Sequence, residues 1–275
     1  MVMERSDLET IPLADMDIFV LSGQSNMAGR GGVHNSKWDN FIPPECQPHP
    51  SILRLNAHLK WEKAHPPLHA DIDIHKTCGV GPGLIFANTL LEKNYKDPEK
   101  ACIGLIPCAI GGTAIREWMK GSHLYNNMIH RTKAALAKGG VLRAILWYQG
   151  ESDAVEKAAD NYPKNLERLI HDIRSDLNLP NLLFIQVAIN MGDPPYSKLV
   201  QKVREAQLGL NIPNVYCVDA KGLPLKEDKL HLTTEAQVQL GKLLADAYIE
   251  HASSHESYPM DCSGCFQGLR NAVNL

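Results

Sequence analysis

The sequence predicts an α/β protein: a three-layer α/β/α sandwich around a central, mostly parallel five-stranded sheet of flavodoxin-like order. Three observations predict it. Short apolar runs alternate along the chain with longer stretches of helical period. The runs are apolar throughout, the pattern of strands covered on both faces. Finally, Ser25, Gly111, Gly112, Gln149 and the pair Asn190 and Met191 each follow a run closely, where open parallel sheets place their ligand sites.

The first strand is expected over Asp17–Ser22, and four more over Ala101–Cys108, Leu142–Tyr148, Leu182–Ala188 and Asn214–Val218. Each is short and rich in β-branched residues or leucine. Helices are expected between and after them. Gly83–Lys93 carries Leu84, Ala87, Leu90 and Leu91 at helical spacing, and His123–Lys138, Val155–Leu177, Tyr196–Leu210 and Thr233–His251 follow. Thr233 or Thr234 supplies an N-cap for the last of these. The stretch before Gly83 is long, irregular and rich in Pro, His, Asn and Gly, with short strands expected at Ile52–Leu55 and Leu59–Glu62. No internal repeat or domain boundary is visible. One domain is expected over 1–275, with a core at about 15–251 and a tail at 252–275 rich in Ser, Gly and Asn.

Composition narrows the function. The chain has 275 residues, 44% hydrophobic and 21% charged, which suits a globular domain with a large core. A net charge of -3 and the lack of any basic block argue against nucleic acid and anionic membrane as partners. No run approaches the ~18 apolar residues of a membrane helix. Met1 to Asp17 holds five acidic residues and no apolar stretch of signal-peptide type. The seven cysteines are odd in number and irregularly spaced, a poor disulfide framework. A reducing, cytoplasmic location is the expectation. Cys262 and Cys265 form the one close pair, with no matching second pair for zinc.

The chemistry lies at the two ends of the domain. Ser25 stands in Gly23-Gln24-Ser25-Asn26, a turn directly after the first strand, and Asp228-Lys229-Leu230-His231 lies far downstream, before the last helix. A serine hydroxyl is a weak nucleophile until a base takes its proton. His231 is the best candidate base. An aspartate three residues earlier allows one short loop to present both groups, the carboxylate holding the imidazole in the useful tautomer. An oxyanion would need hydrogen-bond donors. The candidates are the backbone N–H groups of Ser25 and of Gly111 and Gly112, and the side-chain amide of Gln149.

These stretches resemble the SGNH (GDSL-like) hydrolase superfamily, and within it the carbohydrate-esterase branch of sialate O-acetylesterase-like and acetyl-xylan-esterase-like proteins. The resemblance is carried by Phe19-Val20-Leu21-Ser22-Gly23-Gln24-Ser25-Asn26-Met27, Gly79-Val80-Gly81-Pro82-Gly83, Gly111-Gly112-Thr113-Ala114-Ile115, Trp147-Tyr148-Gln149-Gly150-Glu151-Ser152-Asp153 and Asp228-Lys229-Leu230-His231. It implies ester hydrolysis, typically sugar deacetylation, with Ser25 as nucleophile, His231 as base, Asp228 as its partner and Gln149 where the wider superfamily has an asparagine. Gly-Gln-Ser-Asn replaces the superfamily's Gly-Asp-Ser-Leu. No metal or organic cofactor is expected, and the partner is a small-molecule or oligosaccharide ester.

Gln24, Asn26, Arg116 and Glu151 are candidate pocket residues. Glu151 and Asp153 are read as supports for the Gln149 loop or as pocket lining, and Arg116 as a substrate contact or a salt-bridge partner of Glu151. His65, His69, Asp71, Asp73 and His75 are ligand-rich, but Asp71, Asp73 and His75 share a face only if extended, so a loop bordering the site is favoured over a metal centre. Gly79–Gly83 is not a phosphate loop, since Pro82 removes a donor and no Gly-Lys-Ser/Thr follows. Two rivals remain: a lipid or thioester hydrolase, and a carbohydrate-binding pseudoenzyme.

Overall fold

The computed structural model describes residues 13–98, 100–192 and 197–252. Its centre is a seven-stranded sheet. In chain order the strands are β1 (Asp17–Gly23), β4 (Ile52–Leu55), β5 (Trp61–Lys63), β6 (Ile103–Pro107), β7 (Val141–Tyr148), β8 (Leu183–Ala188) and β9 (Val215–Asp219). Across the sheet they run β5-β4-β6-β1-β7-β8-β9, all parallel except β5, which pairs antiparallel with β4. The five expected strands are all present, and β4 and β5 widen the sheet from five to seven. The second of these begins later than expected. Leu59 has φ 59°, and the Asn56 side chain accepts from the backbone N–H groups of His58 and Lys60, so a turn occupies the start of the predicted strand.

A separate antiparallel ribbon, β2 (Val33–His34) and β3 (Lys37–Trp38), was not expected. Asn35 and Ser36, both at positive φ, make its two-residue turn, the geometry that matches strand twist.

The helices are α1 (Ser25–Ala28), α2 (Pro82–Asn94), α3 (His123–Leu136), α4 (Ala158–Leu177), α5 (Ser197–Leu208) and α6 (Thr234–Ala252). Pro82 opens α2, where its missing N–H costs no bond. Ser122 caps α3, its hydroxyl accepting from Tyr125 N. Thr233, rather than Thr234, caps α6, its Oγ1 accepting from Ala236 N. Helix α4 starts three residues late because Lys157 sits at φ 63°, outside the helical region.

The two faces of the sheet read off β1. Phe19 packs edge-on against Phe86 of α2 and Tyr248 of α6, whereas the Ser22 hydroxyl meets Met128 of α3. Helices α2 and α6 pack together on the first face, and α3, α4 and α5 pack in succession on the second. Alternate residues of β1 thus feed two cores, which explains its unbroken apolar sequence. Strand β1 is flanked by β6 and β7; the chain lays down β4, β5 and β6 on one side of it before crossing to β7, β8 and β9 on the other. Its carboxyl end is therefore a topological switch point, where a crevice opens. No helix among the described residues is long and apolar enough to cross a membrane. Cys262 and Cys265 lie outside the described residues, and Cys46, Cys78, Cys102, Cys108 and Cys217 are free thiols.

Candidate active site

Ser25 stands at that switch point. The chain leaves β1 through Gly23, whose φ of 122° brings it against the carbonyl of Tyr148 so closely that a Cβ would overlap the oxygen. Gln24 N donates to the same carbonyl at 2.8 Å, and the chain turns at once into α1. Ser25 is only 4% exposed and, as the first residue of α1, has an N–H without an intrahelical partner.

Asp228 and His231 come from the loop before α6. The loop closes on itself through an antiparallel bridge between Leu225 and Leu232, with Lys226 N donating to His231 O at 2.7 Å. Asp228 Oδ1 accepts from Leu230 N and His231 N at 3.0 and 2.9 Å, and Oδ2 meets His231 Nδ1 at 2.7 Å. His231 Nε2 lies 3.0 Å from Ser25 Oγ. Three residues from opposite ends of the chain thus form one continuous hydrogen-bonded relay with the geometry of nucleophile, base and orienting acid.

Electrostatics suit those roles. Burial lowers the pKa of His231, opposed by Asp228 and reinforced by Arg30 and Lys226, so the imidazole is neutral and basic near pH 7. Asp228 is held below the usual carboxylate range. Burial raises it, but the hydrogen bonds from His231 and Leu230 outweigh that effect.

A cavity of about 320 Å³ opens beside Ser25, bordered by Gln24, Arg30, Gly111, Gly112, Glu151 and His231 among others. That is the lower end of the range for small-molecule sites. Of the expected oxyanion donors, Ser25 and Gly112 present N–H groups that no acceptor among the described residues takes. Gly111 N instead donates to Asp73 Oδ2 at 3.1 Å. Gln149 differs from expectation as well. It is fully buried, does not line the cavity, and its Nε2 donates to Asp153 Oδ2 at 2.6 Å and Thr113 O at 3.0 Å. Asp153, four residues on in the same turn, captures the amide, and Gln149 braces the loop in this arrangement.

Arg116 is exposed, lies away from the cavity and makes no ion pair with Glu151; the nearby carboxylate it influences is Asp153. Glu151 borders the cavity but is 5% exposed and accepts from Asn26 Nδ2 at 2.8 Å. The His65–His75 segment folds as turns, and its acids are occupied: Asp71 pairs with Arg54 at 2.6 Å and Asp73 with the buried Arg30. Sequence reading missed Arg30 and the role of Asp73. The available signal was an arginine set among Ala28, Gly29, Gly31 and Gly32, where a charge needs a dedicated partner.

Residues 15–250 match the family model described as carbohydrate esterase, sialic acid-specific acetylesterase. The chain belongs to this carbohydrate esterase family. It is 58% identical over 247 residues to "Probable carbohydrate esterase At4g34215" of Arabidopsis thaliana, covering 87% of this chain and 93% of that protein. The crystal structure of the Arabidopsis protein superposes with a TM-score of 0.81, over 86% of this chain and 99% of that one. A "Probable 9-O-acetyl-N-acetylneuraminic acid deacetylase" of Escherichia coli K12 is 27% identical over 206 residues, 58% of this chain and 60% of that protein. The structure of NanS shares the fold, with a TM-score of 0.70 at 16% identity, over 88% of this chain and 98% of that one. The protein is a carboxylic ester hydrolase of the SGNH carbohydrate-esterase branch.

Proposed function

We propose that the protein is a serine esterase that removes O-acetyl groups from a carbohydrate through an acyl-enzyme. The observation that carries this reading is the relay from Asp228 Oδ2 through His231 to Ser25 Oγ, closed at 2.7 and 3.0 Å beside a sugar-sized cavity. His231 Nε2 takes the Ser25 proton as Oγ adds to the acetyl carbonyl. The oxyanion is met by the N–H groups of Ser25 and Gly112. His231 then hands its proton to the departing sugar oxygen. Water, deprotonated by the same nitrogen, adds to the acyl-serine, and acetate leaves as Oγ recovers the proton. Asp228 orients the ring and offsets its transient charge.

The small cavity supports a short acyl group, and the acetylesterase relatives support a sugar alcohol as leaving group. The test is hydrolysis of p-nitrophenyl acetate and of acetylated sugars by the wild type and by Ser25→Ala. The variant should fold normally and lose at least ~10⁴-fold in kcat. Equal rates in both proteins, or faster turnover of long-chain than of acetyl esters, would overturn the reading.

A further inference from the structure

Asn26 follows the nucleophile and is fully buried. Every polar group of its side chain is engaged, and the partners come from two other parts of the chain. Nδ2 donates to Glu151 Oε1 at 2.8 Å and to Leu230 O at 3.1 Å, while Oδ1 accepts from Leu232 N at 3.0 Å. Leu230 and Leu232 flank His231. One amide therefore grips the chain on both sides of the base and ties it to the turn that carries Ser25. The Asn26 carbonyl is itself fixed, accepting from Gln237 Nε2 of α6 at 3.1 Å.

We propose that Glu151 and Asn26 form a proton-sensitive latch that sets the His231-to-Ser25 distance, Glu151 acting through Asn26 as a positioning residue for the deacylation chemistry. This rests on the serine-esterase reading of the same site. An ionised carboxylate only accepts hydrogen bonds, so it holds the Asn26 NH2 toward Leu230 and leaves Oδ1 for Leu232. A protonated carboxyl accepts more weakly, and the grip on the His231 loop loosens.

The surroundings place that change in the working range. Burial pushes Glu151 up to about 7, opposed by the Asn26 hydrogen bond and reinforced by the charge of Asp153. The other groups facing it are the phenols of Tyr148, ending β7, and Tyr162 of α4, both raised by burial, and, around the cavity, Arg30, Lys76 and His231. The phenols remain neutral, and Arg30 is matched by Asp73. His231 is shifted below its ordinary value and Glu151 above its own, so the Glu151 step lies on the higher-pH side.

The latch predicts two acid steps in the kcat profile for p-nitrophenyl acetate. An upper step near pH 7, of about 3- to 10-fold, follows Glu151, and a lower one follows protonation of His231. KM should stay level through the upper step. Glu151→Gln should sit at the reduced level throughout and lack the upper step. Asn26→Ser, which keeps Glu151 but cuts its link to the loop, should lack it too, so the outcome stands even if one variant fails to fold. Either variant retaining a wild-type profile, or a wild type with a single step, would overturn the latch. Ser25→Ala assayed alongside separates the two readings: Ser25-dependent activity with the upper step unchanged in the variants sinks the latch alone, whereas Ser25-independent activity sinks the esterase reading.

Discussion

The two halves of the proposed catalytic relay are held in opposite ways. Ser25 grows directly out of the central strand and is 4% exposed, gripped by the Gly23 approach to Tyr148 and by neighbouring strands on both sides. Asp228 and His231 sit on an outer loop with side chains 42% and 21% exposed, fastened by its own short bridge and by the Asn26 clamp. The position of the nucleophile is a property of the sheet. The position of the base is a property of a few hydrogen bonds. Substitutions that perturb the backbone should therefore separate: those in the loop cost rate, and those in the turn cost stability.

The largest expected effect is on rate. His231→Ala should lower kcat/KM for p-nitrophenyl acetate by about 10⁴- to 10⁶-fold, the range seen when a triad base is removed. Because the ring is partly exposed and belongs to no core, the free energy of unfolding should move by less than about 1 kcal/mol. Urea titration and kinetics on one preparation test both halves. A loss of stability comparable to that of a core deletion would show that the loop is integral to the fold and would break the comparison.

Asp228→Asn should do less. The amide oxygen can still accept from Leu230 N and His231 N, so the loop keeps its shape. The NH2 then faces His231 Nδ1 and favours the tautomer with its proton on Nε2, the wrong one for a base. Solvent reaches this carboxylate and weakens its field. A fall in kcat of about 10²- to 10⁴-fold is expected with KM nearly constant. A loss equal to that of His231→Ala would mean that the aspartate holds the loop as well as the ring.

The same contrast governs what could be read from the sequence. The strands were legible because β1, β6, β7 and β8 are buried on both faces and must be apolar. The grouping of Ser25, His231 and Asp228 was legible because Ser25 abuts a strand end and because Asp228 and His231 lie three residues apart. The clamps were not. The partners of Asn26 lie 125 and about 205 residues away, and Asp73 reaches Gly111 across 38. No local pattern encodes such pairings. Gln149 shows the complementary limit: its residue type and place fit an oxyanion donor, but Asp153 lies near enough to accept the hydrogen bond of the amide. The ribbon β2–β3 escaped because two-residue strands carry no period, although Asn35 and Ser36 held a turn signal.

The smallest expected effect isolates the sheet's grip on Ser25. Gly23 and Gly222 both have positive φ, at 122° and 87°, but Gly222 stands in open space in the segment leading to the Asp228 loop. An alanine at either position carries the backbone strain of a Cβ in that region, about 1–2 kcal/mol. At Gly23 the Cβ also overlaps the Tyr148 carbonyl, and overpacking adds about 1–3 kcal/mol. Gly23→Ala should thus be less stable to urea than Gly222→Ala by about 1–3 kcal/mol, and it alone should shift Ser25 and lower kcat. Equal destabilisation would mean that the strand end yields to the added atom, and the rigidity assigned to the nucleophile turn would have to come from the clamp on Asn26 instead.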